Sequence, residues 1–300
     1  MTSRVKKFEK IEKNEKEKIK KEKKERRKKR GKKMLIILLM LTVLAIIYAR
    51  FVEPNMLLVH EYKIETEKIS KKNHGLKIIH FSDLHYGSTI TKNNIEKVIA
   101  KINFLKPDIV VFTGDLIEEN IELNEDEIKY LTEALKSIET KLGKYAVIGN
   151  HDFYNEYVDN VLYDSNFKVL NNEYDLIYNK DNTPIVIYGV ENTLYGEPKT
   201  DKLNNDLDTY YKILLVHEPD YINNITNNFD LVLAGHSHNG QVKIPGLKPF
   251  WLPVGSRTYY EPYYKVNNMD LYVSNGIGSS GINLRFASIP SINLFRITKK

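Results

Sequence analysis

Five short polar segments punctuate this chain, and each follows directly on an apolar run of strand type. They are Asp83-Leu84-His85, Gly114-Asp115, Gly149-Asn150-His151-Asp152, His217, and Gly235-His236-Ser237-His238. Runs of this length, rich in Val, Ile and Leu, read as buried strands. The pattern therefore demands a fold in which one strand after another ends in a carboxylate, an imidazole or a glycine turn. Open α/β sheets meet that demand, because they gather the C-terminal ends of their strands around a crevice. The chain has eight histidines, and five of them fall inside these segments. Singly, each segment has a plain structural reading. Asp83 is a good helix N-cap, Asp115 a turn former, His217 a core histidine, and His236 and His238 loop residues. Jointly, in this order and behind this kind of run, they point to a dinuclear hydrolytic centre.

The rest of the body supports the same class. Strands are predicted over 57–63, 76–82, 108–113, 144–148, 185–189, 211–216, 230–234, 269–274 and 291–297. The first of them is an edge strand at the end of a linker, 53–75. Helices are predicted over 93–105, 125–138 and about 153–162. The first helix rests on Ile95, Val98, Ile99, Ile102 and Leu105, and it stops before Pro107. Helices and strands alternate early and strands dominate late, which argues for a mixed, layered α/β domain. Gly276-Ile277-Gly278-Ser279-Ser280-Gly281 superficially matches a dinucleotide fingerprint, but residues 282–290 open no helix and that reading is rejected. A turn that brings Ser279 or Arg285 to substrate is the functional reading left for this segment. His80 reads as structural, and His60 and His74 as surface residues. Tyr259-Tyr260 and Tyr263-Tyr264 read as loop packing.

The N-terminus is built differently. Residues 1–33 carry 18 Lys and Arg against 6 Asp and Glu, a net +12. The whole chain is +6, so residues 34–300 carry −6. The basic balance belongs to the arm, which argues against nucleic acid as a partner of the body. Glu9 with Lys13, Glu12 with Lys16, and Glu17 with Lys21 are spaced for helical pairing. The arm reads as a solvated segment able to meet anionic lipid at a membrane surface. Residues 34–48 are uncharged and apolar, and with 49–52 they reach the length of a membrane span. No small-x-small cleavage site follows, so 34–52 is expected to be an uncleaved signal anchor. The basic arm before it predicts a cytoplasmic N-terminus and an extracytoplasmic body in a single-pass membrane protein. Arg26-Arg27 lacks the apolar continuation of a twin-arginine signal. With no cysteine, neither disulfides nor thiolate metal sites arise.

From Leu76 to about Thr298 the chain resembles the calcineurin-like metallophosphoesterases. A finer similarity, to a membrane-associated bacterial branch that includes UDP-2,3-diacylglucosamine pyrophosphatase-like proteins, rests on three stretches. They are His80 to His85, Leu214-Leu215-Val216-His217-Glu218-Pro219-Asp220, and Asp230 to Gln241, with Val273 to Gly278 and Arg285-Phe286 behind them. Asn239 departs from that branch, which carries Gly there; Asn tolerates a positive φ. The resemblance implies an α/β, four-layer αββα sandwich of two mixed β-sheets over residues 76–300, preceded by one transmembrane helix. It implies one divalent ion (Mn, Fe or Zn) held by Asp83, His85, Asp115 and His238. It implies a second held by Asp115, Asn150, His217 and His236. His151 would then protonate the leaving oxygen, and Asp152 would orient His151. The substrate expected is a phosphodiester, pyrophosphate or phosphomonoester, lipid-linked or nucleotide-sugar. Two other readings stay open: a nucleotide or nucleic-acid phosphodiesterase with the same centre, and a metal-containing interaction module without activity.

Overall fold

A computed structural model describes the backbone of residues 2–300 and the side chains of residues 7–300 other than Asn205. Contacts divide the chain into two units, Met1–Tyr48 and Ala49–Lys300.

The first unit is one helix, α1 (Thr2–Ile47), which carries the charged arm without a break into the apolar run. Lys16 pairs with Glu12 at 2.6 Å, one of the contacts expected from the spacing. The side chains of Met34, Leu35, Leu38 and Leu41 are all exposed. No packing inside the unit accounts for their apolar character. The helix is long and apolar enough to cross a membrane by length and composition. At about 1.5 Å per residue, residues 34–47 of α1 make about 21 Å of helix, against a hydrocarbon core of about 30 Å.

The second unit is built on two six-stranded mixed sheets. The first contains β1 (Leu58–Thr66), β2 (Leu76–Phe81), β3 (Ile109–Phe112), β4 (Gly143–Ala146), β5 (Phe167–Val169) and β12 (Ser291–Lys299), in the order β1-β12-β2-β3-β4-β5. The second contains β6 (Glu173–Ile177), β7 (Ile185–Gly189), β8 (Tyr211–Val216), β9 (Leu231–Ala234), β10 (Tyr263–Val266) and β11 (Met269–Val273), in the order β10-β11-β9-β8-β7-β6. Each sheet has a parallel core: β2, β3, β4 and β5 in one, β7, β8, β9 and β11 in the other. These strands have a face against each of two layers. Ile109–Phe112, Tyr211–Val216 and Leu231–Ala234 are accordingly buried throughout.

Three apolar clusters fill the layers. Between the sheets, Ile78, Ile109, Val111, Ile187, Ile213, Leu215, Leu233 and Phe295 interlock. The outer face of the first sheet is covered by α2 (Lys92–Leu105), α3 (Glu125–Lys136) and α4 (Val158–Asp164). Helix α2 turns Ile95, Val98, Ile99 and Ile102 inward, each contributing about 1.5–3 kcal/mol by burial. Helix α3 starts at a reciprocal cap in which Asn124 accepts from the Glu127 amide and Glu127 accepts from the Asn124 amide. The outer face of the second sheet is covered more thinly. Its cover is short helical turns and loops carrying Leu203, Leu207, Ile222 and Phe229.

Three expectations shift. The helix expected from about 153 starts only at Val158, because 150–157 form turns in which the Asn155 amide is taken by the Asp152 carbonyl at 2.8 Å. Strands β5, β6 and β10 have too little apolar alternation to stand out in the sequence; the register of their neighbours creates them. The Tyr263-Tyr264 pair, expected in a loop, lies in β10, where the Tyr264 ring meets Tyr259 at 5.0 Å and packs on the second sheet.

Candidate metal centre

Strand register brings the polar segments together. Phe81, Phe112 and Ala146 lie side by side as the last residues of β2, β3 and β4. Val216, Ala234 and Val273 do the same at the ends of β8, β9 and β11. Every loop carrying a predicted site residue therefore leaves its sheet at one level, on the C-terminal edge. Three groups of donor atoms result, each with its atoms within 4.8 Å of one another: Asp83, His85 and His238; His85, Asp115 and His151; and Asp115, His217 and His236. Asp115 and His85 each belong to two groups.

The backbone bends sharply to do this. Asp83, His85, Asp115, His236 and His238 all have φ between 46° and 67°, the left-handed region. Each costs about 1–2 kcal/mol relative to an ordinary conformation. Strain of this kind persists only where surrounding structure imposes it, and it concentrates at functional sites. Asn239 adopts the same region, at φ 52°, so the loop closes without the glycine. Two glycines are required by closeness alone. A Cβ on Gly149 would stand 2.1 Å from Asp115 Oδ1, and one on Gly278 would stand 2.2 Å from the Leu84 carbonyl oxygen. The glycine-rich tail thus lets backbone pass against the Asp83 loop.

The hydrogen bonds behind the imidazoles show which nitrogens face the site. His217 Nδ1–H donates to the Thr113 carbonyl at 2.6 Å, which leaves Nε2 bare and 3.1 Å from Asp115 Oδ2. His236 Nε2–H donates to the Val254 carbonyl at 2.7 Å, leaving Nδ1 bare. His85 Nδ1 stands 2.9 Å from Glu118 Oε2, and its Nε2 faces His238 Nε2 at 3.1 Å. Two imidazole nitrogens this close need a proton or a cation to reconcile their lone pairs. His217 Nε2 and Asn150 Oδ1 are buried with no hydrogen-bond partner. Orphaned acceptors among carboxylates and imidazoles, without a thiolate, fit divalent ions of the Mn, Fe or Zn type.

Electrostatics agree. Burial alone pushes the Asp115 carboxyl up, but His217, His151 and His85 outweigh it and hold the group well below its usual range. Burial pushes His217 down, and Asp115 more than reverses this, so His217 ends well above the ordinary histidine value. His85 is raised against burial by Glu118 and Asp115. Burial, then His85 and Arg285, push His238 far down. The cluster attracts positive charge at its centre and takes protons there when nothing else supplies it.

His151 is held through its ring. The Glu119 amide donates to His151 Nδ1 at 3.0 Å, so the ring proton sits on Nε2. That nitrogen lies 4.0 Å from Asp115 Oδ2 and 3.4 Å from Ser280 Oγ. Asp152 does not orient this ring. Its carboxylate accepts from the Leu116 amide at 2.8 Å, the Ile117 amide at 3.3 Å and the Gly149 amide at 3.2 Å. It staples the Asp115 loop to the 149–152 turn, and burial followed by the nearby Asp115 charge pushes it up to about 7.

One residue not singled out in the sequence, Glu118, belongs to the site, and Arg285, expected to be brought to substrate, lies elsewhere. Glu118 holds His85. Arg285 is fully buried beneath His238, with Nη2 3.0 Å from His238 Nδ1 and Nη1 donating to the Asn275 and Ser288 carbonyls at 2.8 Å each. Its place is under the site rather than in the opening. The remaining histidines stand apart. His80 is buried in β2, bonded to Thr113 Oγ1 at 2.9 Å, and burial pushes it down to about 3. His60 is half-buried and His74 exposed. The metal-site residues open into a cavity of about 600 Å³ lined by Asn150, His151 and His236 on one side and by Val242, Trp251 and Ile282 on the other.

A family model described as calcineurin-like phosphoesterase matches residues 76–240. The chain is 32% identical over 258 residues to the uncharacterized metallophosphoesterase YkuE of Bacillus subtilis, covering 83% of this chain and 88% of that one. It is 32% identical over 263 residues to an uncharacterized metallophosphoesterase of Aquifex aeolicus, covering 83% of this chain and 95% of the relative. A transmembrane protein with metallophosphoesterase domain from Danio rerio is 26% identical over 247 residues, covering 77% of this chain and 55% of that protein.

Proposed function

Given that the chain belongs to the calcineurin-like phosphoesterases, and so is a metal-dependent phosphate-ester hydrolase, we propose that it is a membrane-anchored phosphoesterase with two metal sites sharing Asp115. Asp83, His85, Asp115 and His238 would hold one ion, and Asp115, Asn150, His217 and His236 the other. The observation that carries this reading is Asp115 Oδ2, which lies 3.7 Å from His85 Nε2 and 3.1 Å from His217 Nε2, between the donor group of Asp83, His85 and His238 and that of Asp115, His217 and His236. Divalent ions at such a site supply Lewis-acid polarisation of phosphoryl oxygens and a nucleophile from water near neutral pH.

The chain's own residues do the rest. Asn150 offers a neutral oxygen, so the site keeps positive charge for an anionic substrate. His151 holds its proton on Nε2, facing the cavity, and delivers it to the departing oxygen. Glu118 and the Thr113 and Val254 carbonyls fix three imidazoles in the tautomers that leave their inner nitrogens bare. The substrate class is an envelope phosphodiester, pyrophosphate or phosphomonoester, lipid-linked or nucleotide-sugar. Residues 34–52 anchor the chain in the cell membrane. The arm lies in the cytoplasm against anionic lipid, and the body lies outside it. The net −6 of residues 34–300 disfavours nucleic acid.

Full-length chain reconstituted with Mn²⁺ is expected to hydrolyse bis(p-nitrophenyl) phosphate and to stop in chelator. Asp115→Ala and His151→Ala should each remove the activity; equal activity in either variant would overturn the mechanism.

A further inference from the structure

One surface feature is left unexplained by the metal centre. Residues 242–254 read Val-Lys-Ile-Pro-Gly-Leu-Lys-Pro-Phe-Trp-Leu-Pro-Val, with two lysines and no acid, in a body that is otherwise net negative. Phe250 and Trp251 are 75% and 72% exposed, Leu247 60%, and Ile244, Val254 and Ile282 are exposed beside them. The segment is nevertheless firmly seated. Pro249 and Leu252 are buried, and Pro249 packs so closely on Gly240 that a Cβ there would meet it at 2.3 Å. The Lys243 amide donates to the Phe286 carbonyl at 3.0 Å. At its far end the Val254 carbonyl holds His236. Prolines at 245, 249 and 253 stiffen it. Fixed aromatic side chains turned outward on a rigid, basic loop are a costly arrangement in water and mark an interaction surface.

We propose that residues 242–254, with Ile282, form a lip that seats in the headgroup region of an anionic bilayer beside the mouth of the metal centre. The chemistry favours a bilayer over a protein. Trp and Phe next to lysines, without acids, are the residue types that settle at the boundary of headgroups and acyl chains. Lys248 is exposed and adds about 1 kcal/mol of attraction near an anionic surface, while Lys243 is half-buried with its ammonium on Asn239 Oδ1. The same chain carries a helix apolar enough to cross a membrane. The lip continues into the cavity through Val242, Phe250, Trp251 and Ile282, so a phosphate presented at the surface would reach His151 without leaving the interface. This inference rests on the proposed phosphoesterase reading for its purpose, though not for its geometry.

Trp251 is the chain's one tryptophan, which makes the test direct. Full-length chain is placed in nanodiscs of phosphatidylcholine and phosphatidylglycerol, with or without brominated acyl chains. Trp251 emission should shift to the blue relative to detergent and lose most of its intensity to bromine. The double variant Ile244→Ser, Leu247→Ser should recover that intensity. Equal emission from brominated and plain discs would overturn the lip. So would protection of Trp251 from acrylamide that appears in detergent with rising protein concentration, which would identify a second copy as the occupant. Hydrolysis of bis(p-nitrophenyl) phosphate by the same samples separates the two questions. Loss of quenching with activity intact condemns the lip alone, and quenching without activity condemns the proposed reaction alone.

Discussion

The contact between Glu118 and His85 yields the sharpest quantitative test. His85 is fully buried and its Nδ1 has one anionic neighbour at 2.9 Å, Glu118 Oε2. The two atoms are close enough for charge to act but are not aligned as a hydrogen bond, and losing a partner that orients a metal-ligating histidine typically costs about 10- to 100-fold in metal affinity. Glu118→Gln keeps the shape and loses the charge, so the affinity of the site that uses His85 should fall about 10-fold, the low end of that range. Glu118→Ala removes the side chain beside the ring as well, so the loss should reach about 100-fold. Isothermal titration of metal-free protein with Mn²⁺ reads both values, and circular dichroism confirms that the sheets persist. Affinity should fall in the order parent, Gln, Ala. If the alanine variant bound Mn²⁺ as tightly as the parent while folded, the claim that Glu118 orients a ligand would be wrong.

Other expectations follow from single contacts. Gly149→Ala places a methyl group 2.1 Å from Asp115 Oδ1, so metal content and turnover should collapse while far-UV circular dichroism stays near parental. His151→Asn should retain metal by elemental analysis yet lose about 10²- to 10⁴-fold in kcat, the usual contribution of a placed proton donor. In metal-free protein, His217 and His85 have folded values above the ordinary histidine value, so their stabilisation is complete at low pH and is lost as pH rises through those values. Asp152, raised from 3.8 to about 7, acts in the same direction, because the folded state holds a proton that the unfolded chain releases between those values. His80 and His238, held below the ordinary histidine value, act the other way over that interval, so the check is a difference: the urea midpoint of metal-free Asp152→Asn should fall less, or rise more, from pH 6 to pH 8 than that of the parent, and an unchanged slope would contradict the assigned protonation. Metal affinity should strengthen over the same interval as protons leave those imidazoles.

Much of this site was legible in the sequence because its chemistry needs particular residue types. Asp83, His85, Asp115, Asn150, His151, His217, His236 and His238 sit behind apolar runs, and parallel strands with matched ends deliver them to one edge. What could not be read was geometric. Glu118 has the same side chain as Glu119 and Glu122, and only the fold decides which of them meets His85. The role expected of Asp152 failed for a related reason: adjacency to His151 in sequence suggested a contact, whereas the turn points its carboxylate at three amides. Left-handed backbone at five of the metal-site positions is imposed by neighbouring loops, since Asp and His do not choose it unaided. The late start of α4 reflects the same competition, with turn residues serving the site instead of extending a helix. Phe250 and Trp251 gave no sign that they point outward, because an apolar loop in a sequence reads equally well as core.

Metal stoichiometry of reconstituted full-length chain, measured by mass spectrometry of bound Mn²⁺ in parent and Asp115→Ala, bears most directly on a centre that shares one carboxylate. Two ions per chain in the parent, with both lost together when that side chain is removed, is the predicted result. A parent that takes up fewer than two, or a variant that keeps both, would contradict it.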